Sequence, residues 1–144
     1  MQVLNYTGWM PRHSKRREPA SSLRSPCPIA GALDLLGDRW TLLVVRDVLF
    51  YDKRRFAEFL SSPESIATNI LADRLERLAR CGLLERRQDS RYSTRAEYHP
   101  TARARDLAPV LRELIRWGQR HVAGTAKQPP SRVSVANSKF VSSP

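Results

Sequence analysis

The segment at residues 65–81 constrains the fold more than any other part of the chain. Its apolar residues recur at the spacing of a single helical face, and Gly82 directly after it is a typical helix stop. The segment predicts an amphipathic helix, with residues 66–81 as its helical part, that packs on a core built by the rest of the chain and turns a polar face outward. The apolar positions are Ile66, Ile70, Leu71, Leu75 and Leu78.

Three shorter helices are predicted before this segment. Residues 28–36 begin with proline, which suits a first helical turn, and Gly37 follows them. Asp38 then stands where its carboxylate can accept from free backbone N–H groups and cap a largely buried helix over residues 40–48. A third short helix starts at Phe56 and ends before Pro63.

Two strands and a long helix are predicted after Gly82. Residues 83–87 and 94–99 have strand character and flank a polar turn, so residues 83–99 form a basic hairpin. A long helix then opens at Thr101, a plausible cap, and runs to near Gly124. The order of elements predicts a mainly α fold with a small β-hairpin: a winged helix-turn-helix with an additional long C-terminal dimerisation helix.

The long helix carries a broad apolar side. It is wider than a peripheral helix of a small domain needs, which favours packing against a second chain. The alternative, that it covers the core of its own domain, is nearly as well supported by the pattern. The predicted interface residues are Leu107, Leu111, Leu114, Trp117 and His121.

The positive charge is concentrated at the ends. The 144 residues carry a net charge of +11, and residues 1–26 and 124–144 are basic, rich in Pro and Ser, and predicted to be disordered tails. Residues 27–123 form the predicted domain, in which residues 80–105 supply the local excess of arginine. Such a surface attracts nucleic acid or an anionic membrane, although a solvated surface with no particular partner fits the charge equally well.

Several classes of protein are excluded or disfavoured. No apolar stretch is long enough to span a bilayer and no secretory signal is recognisable, so the expected location is cytoplasmic, away from membranes. The two cysteines are too few for a disulfide framework or a zinc site built on paired cysteines. No phosphate loop, metalloprotease motif or nucleophile elbow occurs, so we expect no enzymatic activity, no cofactor and no bound metal.

The start of the 66–81 helix has the chemistry of a DNA-reading surface. A helix fits the major groove, and the residues near its N-terminus must be short yet able to hydrogen bond. Ser65, Ala67, Thr68 and Asn69 meet this requirement, and Asn69 can in principle contact adenine through two hydrogen bonds. Ser65 could instead serve only as the helix cap.

Arginines extend this predicted surface. Arg74 could reach a phosphate or pair with an acidic neighbour, and for Arg77 pairing within the helix is slightly favoured. Arg87, Arg91 and Arg95 on the hairpin would contact the DNA backbone or a narrow minor groove.

Short blocks spread over most of the predicted domain match a known family pattern. They are residues 27–30, 36–43, 54–58, 66–75, 82–83, 97–98, 109–111 and 117–118. On these blocks the chain resembles the HxlR-type family of winged-helix transcriptional regulators, related in fold to MarR-type repressors. The resemblance covers residues 27 to about 121, and implies a homodimer whose N- and C-terminal helices form the interface while helix 66–81 enters the DNA. Ala104 replaces a frequent glycine, and Pro100 replaces an apolar strand residue, so the strand is expected to end one residue early.

Cys27 is a possible redox or electrophile sensor. It precedes a predicted helix and Arg24 is near in sequence, and both features stabilise a thiolate. Some relatives sense oxidants or electrophiles through a cysteine at this motif, but a small buried cysteine also packs well as an apolar residue. Cys81 is expected to be buried and inert.

The sequence thus predicts a dimeric transcriptional regulator, such as a repressor, that binds double-stranded DNA at a pseudo-palindromic operator. A small-molecule or oxidant effector is compatible with this function. The alternative is a winged-helix module for non-specific nucleic-acid binding or protein contact.

Overall fold

The computed structural model describes residues 23–88 and 95–126. The chain divides after Leu35 into two units. Helix α1 spans Pro28–Leu36, which are the predicted bounds. All of the helix except Leu36 lies in the first unit. Within this unit Arg24 Nε lies 2.5 Å from Asp34 Oδ1. Most of the predicted tails at residues 1–26 and 124–144 falls outside the described residues.

The second unit has the predicted winged helix-turn-helix architecture, mostly helical with one antiparallel hairpin. Leucine and valine side chains from α2, α4 and β1 meet Phe59 of α3 in its core. No helix in the described part of the chain is long and apolar enough to cross a membrane. The elements are α2 (Thr41–Phe50), α3 (Phe56–Leu60), α4 (Thr68–Arg80), β1 (Leu84–Gln88), β2 (Ala96–Pro100), α5 (Ala102–Arg105) and α6 (Ala108–His121).

Helix α4 begins later than the sequence predicts. Ser65 has a φ of 57°, a left-handed conformation that belongs to the turn and not to a helix. Ala67 is therefore the N-cap, and Ser65 is not. The C-terminal end is as predicted: Gly82, at φ 75°, donates to the Ala79 carbonyl at 3.2 Å, and Leu83 donates to the Leu78 carbonyl at 3.0 Å. These two bonds form a Schellman motif.

The hairpin is displaced by about one residue from its predicted bounds. Pro100 is the last residue of β2 and lies opposite Leu84, so the expectation that the strand ends early was wrong. Proline is tolerated because it lies at the end of an edge strand, where no ladder donor is needed. The outer edge of β2 is partly covered, since Tyr98 N donates to the Arg54 carbonyl at 2.8 Å.

The predicted long C-terminal helix is broken in two. Thr101 is the cap, as expected, and its Oγ1 accepts from Ala104 N at 3.3 Å. The helix stops after Arg105 and restarts at Ala108, with Pro109 in the first turn of α6. Because proline has no N–H to donate to the preceding turn, an uninterrupted helix through this position is unfavourable.

Candidate nucleic-acid interface

The N-terminal end of α4 presents short side chains to solvent. Ser65, Ala67, Thr68 and Asn69 are all exposed, as predicted for a groove-reading surface. Within the described part of the chain, neither Thr68 nor Asn69 uses its side chain in a hydrogen bond to protein. The opposite side of the helix is anchored by Leu71, which is fully buried. The polar groups at this end are therefore available to a partner.

A partly buried ionic network, centred on the buried Asp47, holds the turn that leads into α4. Asp47 is 3% exposed, and its carboxylate accepts from Arg46 Nε at 2.9 Å and from the Ser62 hydroxyl. Arg46 also donates to both carboxylate oxygens of Glu64, at 2.6 and 3.0 Å. Lys53 Nζ bonds to Ser62 Oγ at 2.6 Å. The network fixes the turn on α2.

Arg46 and Glu64 each stabilise the charged form of the other. The hydrogen bond from Arg46 lowers the pKa of Glu64, against the effect of burial. Burial opposes the charge on Arg46, but the hydrogen bonds and charges of Glu64 and Asp47 outweigh it and raise the pKa of the guanidinium. The pair therefore stays charged at neutral pH.

Asp38 connects the start of α2 to the middle of α4. The N-cap of α2 is Trp40 and not Asp38, but the Asp38 carboxylate accepts from free backbone N–H groups at the helix start as predicted, from Trp40 N at 2.9 Å and from Thr41 N at 3.0 Å. The same carboxylate accepts from Arg74 Nε at 3.0 Å and from Arg77 Nη1 at 3.4 Å. Burial would raise the pKa of Asp38, but hydrogen bonds from Thr41, Trp40 and Arg74 lower it.

This contact changes the interpretation of Arg74 and Arg77. The Arg74 side chain is only 16% exposed and contacts both Asp38 and Asp73. Of the two alternatives that the sequence left open for Arg74, the structure shows the pairing with acidic side chains. Arg77 Nη1 lies 3.4 Å from Asp38 Oδ2, so Arg77 pairs with a residue outside its own helix. Asp38 thus helps to position α4, a role that sequence reasoning did not identify.

The hairpin places its arginines at the surface. Arg87 is exposed and its Nη2 lies 2.9 Å from Glu85 Oε2, an ion pair that solvent screens strongly because both side chains are more than half exposed. Arg95 is also exposed. Arg91, the third predicted contact, lies outside the described residues.

The predicted dimer residues of α6 lie on two different sides. Leu111 is 6% exposed and belongs to the core of its own domain, and Leu107 is half-buried at the N-cap. Leu114 and Trp117 are 48% and 61% exposed, and the exposed ring of His121 lies 5.1 Å from that of Trp117. One face of α6 thus covers the core of its own domain, as the second alternative predicted, and the other face leaves apolar side chains exposed.

Cys27 is exposed immediately before α1, and both cysteines are free thiols. Arg24 bonds to Asp34 and to the Ala30 carbonyl, so the structure does not show the expected support of a Cys27 thiolate by Arg24. Cys81 is half-buried, and its sulfur lies 3.4 Å from the Leu78 carbonyl oxygen.

An exposed helix end, held by partly buried ion pairs and followed by a basic wing, is typical of helix-turn-helix proteins. The HxlR-like helix-turn-helix family model matches residues 35–126, and the chain belongs to this family. A helix-turn-helix transcriptional regulator of Synechocystis sp. is 36% identical over 92 residues, which are 64% of this chain and 67% of that protein.

Two further relatives extend this comparison. A helix-turn-helix regulator of Mycobacterium tuberculosis is 36% identical over 65% of this chain, which spans only 58% of that relative's length. The reduced form of the transcriptional regulator YodB from Bacillus subtilis is 26% identical, with a TM-score of 0.56 over 71% of this chain and 100% of YodB.

Proposed function

We propose that the protein regulates transcription by binding a specific operator as a homodimer, with the N-terminal end of α4 in the major groove. The observation that carries this proposal is the exposure of Thr68 and Asn69 on a helix whose position is fixed by other residues. Preorganisation matters because base recognition needs donors and acceptors within a few tenths of an ångström of their partners.

The exposed face of α6 supports the homodimer. Val110, Leu114 and Trp117 form an apolar stripe on a helix that has already buried Ala108 and Leu111. Two-fold symmetry would place the two α4 helices in successive major grooves, about 34 Å apart, and so requires a pseudo-palindromic operator.

The wing supplies the sequence-independent part of the affinity. Arg87 and Arg95 are exposed on the hairpin, and Arg91 lies between them in the sequence. Their contacts with phosphates release counterions, so their contribution falls as salt rises.

The test is a fluorescence-anisotropy titration with the DNA upstream of the protein's own gene and with a scrambled duplex, at several salt concentrations. We expect a preference of roughly a thousandfold or more for the native duplex at physiological salt. Equal affinity for the two duplexes with a steep salt dependence would favour the non-specific binding module instead.

A redox or electrophile response through Cys27 is a second part of the proposal. Its support is the exposed thiol next to α1, together with YodB, of which diamide-treated and quinone-bound forms are known. Diamide or a quinone should lower operator affinity in the wild type but not in Cys27→Ser. An equal response of both proteins would contradict it, and Cys81→Ser is the matched control.

A further inference from the structure

A cavity between α2 and α6 has the size of a small-molecule site. Its volume is about 630 Å³, within the range of about 300 to 1,000 Å³ that is common for ligand pockets. Leu42, Leu43, Leu111 and Ile115 form apolar walls, and Phe50 adds an aromatic ring. The described lining residues include three arginines and no carboxylate, so the charge of the cavity is suited to an anion with an apolar body.

Arg112 differs from the other two cavity arginines in having no acidic partner among the described residues. Its guanidinium carbon lies 5.9 Å from the centre of the Phe50 ring, and the side chain is half-buried. Arg46 is neutralised by Asp47 and Glu64, and Arg116 is paired with Glu113. A half-buried guanidinium without an acidic partner can bind a ligand carboxylate through two parallel hydrogen bonds.

We propose that this cavity binds an apolar monocarboxylate, an aromatic acid about the size of naphthoate, with its carboxylate on Arg112 and its rings against the leucines and Phe50. The apolar walls bind the ring system by removing it from water, and the arginine fixes its orientation. The cavity would be the effector site of the proposed regulator, so its effect on transcription rests on the proposed function.

Arg46 couples the cavity to the DNA-reading end of α4. It lines the cavity and at the same time donates to Glu64 in the turn before α4. A ligand with its carboxylate on Arg112 places its rings where the Arg46 side chain lines the cavity, and displaces that side chain from Glu64, which loosens the turn. Since a ligand shifts an equilibrium toward the state that it binds more tightly, occupancy lowers operator affinity, and operator DNA in turn lowers ligand affinity.

Calorimetric titration of the full chain with 2-naphthoate tests the site without DNA. We expect saturable binding at one site per chain and at least tenfold weaker binding of 2-naphthamide, which has nearly the same shape and no charge. Arg112→Ala should weaken naphthoate binding at least tenfold, whereas Arg120→Ala, an exposed arginine of the same helix outside the cavity, should stay within twofold of the wild type. Equal binding of acid and amide, or equal binding by Arg112→Ala and wild type, would overturn the assignment.

Gly118→Leu tests the cavity by filling it. Gly118 lines the cavity, and a Cβ added there meets no atom within 4 Å. Replacing glycine inside a helix also favours the helix. We expect Gly118→Leu to keep or raise the melting temperature, keep the dimer and lose naphthoate binding. Loss of the dimer in this variant would show that a second copy occupies the space, and unchanged ligand binding would place the ligand elsewhere; either result overturns the proposal.

Operator titrations with and without naphthoate separate this site from the proposed function. If both the ligand site and the proposed function are correct, saturating naphthoate weakens operator binding at least tenfold in the wild type and by less than twofold in Arg112→Ala. If the chain shows no preference for any operator while naphthoate binding still depends on Arg112, the site is supported and the proposed function fails. If operator binding is specific and naphthoate does not bind, the site fails alone.

Discussion

Helices α4 and α6 share an amphipathic pattern but differ in what their apolar sides contact. In α4, Leu71, Leu75 and Leu78 are fully buried in the domain. In α6 the domain covers Ala108 and Leu111, while Leu114 and Trp117 stay 48% and 61% exposed. The outer face of α4 is therefore polar and suited to DNA, and that of α6 is apolar and suited to a second protein. Periodicity shows that a helix has a face to bury, and only the fold shows what buries it.

The largest effect is expected from Leu75→Ala. This side chain is 0% exposed, and deleting a leucine side chain in a packed core costs about 2 to 5 kcal/mol. Leu114→Ala removes the same atoms from the exposed side of α6 and should change the unfolding free energy of the dilute monomer by less than about 1 kcal/mol. Urea unfolding measures both free energies of unfolding. Equal losses in the two variants would contradict the difference in burial between α4 and α6.

Trp117→Ala tests whether the exposed face of α6 forms the dimer interface. An exposed tryptophan at the centre of an interface is a typical energetic anchor, so its loss should raise the dimer dissociation constant by about 30-fold, or about 2 kcal/mol. Sedimentation over a range of protein concentrations measures this constant, and Arg120→Ala is the control. An unchanged dissociation constant would show that the interface does not include this face of α6.

Asp38→Asn tests how α4 is held in position. The substitution keeps the size of the side chain but removes the charge that accepts from Arg74 and Arg77, and should cost about 1 to 3 kcal/mol. Asp73→Asn is the matched control, since Asp73 contacts the same Arg74 with a carboxylate that is 58% exposed and should cost less than about 1 kcal/mol. Equal costs would argue against the Asp38 contact.

The pH dependence of the Asp38 contribution follows from the direction of its pKa. The folded protein lowers this pKa below its ordinary value of 3.8, so the stabilisation is fully present above that value and is lost as the pH falls through the lower pKa of the folded state. The stability difference between wild type and Asp38→Asn should therefore shrink in acid. A difference that grows below pH 3.8 would contradict the assigned contact.

Local signals predicted the parts of the fold that depend on neighbouring residues. Helices α1 and α3 have their predicted bounds, and Thr101 is a cap. The late start of α4 was missed because Ser65 adopts a left-handed conformation that a non-glycine residue rarely takes. The break before α6 was missed although Pro109 is a local signal for it.

In the candidate site, too, the features set by neighbouring residues could be predicted and the contacts between distant residues could not. Thr68 and Asn69 could be located from their spacing alone, because exposure at the start of an amphipathic helix is a local property. The contact of Asp38 with Arg74 spans 36 residues, and the arginine has an acidic neighbour in sequence that is an equally plausible partner. Arg74 contacts both, and only the packing of α2 against α4 brings Asp38 within reach.

The central claim is that the start of α4 reads bases while the wing binds the DNA backbone, and one comparison of variants tests it directly. Anisotropy titrations of Asn69→Ala and Arg87→Ala are run against operator and scrambled DNA at physiological salt. Asn69→Ala should lose about 1 to 3 kcal/mol on the operator and almost nothing on scrambled DNA, and Arg87→Ala should weaken both alike. Equal losses of Asn69→Ala on the two duplexes would contradict the account.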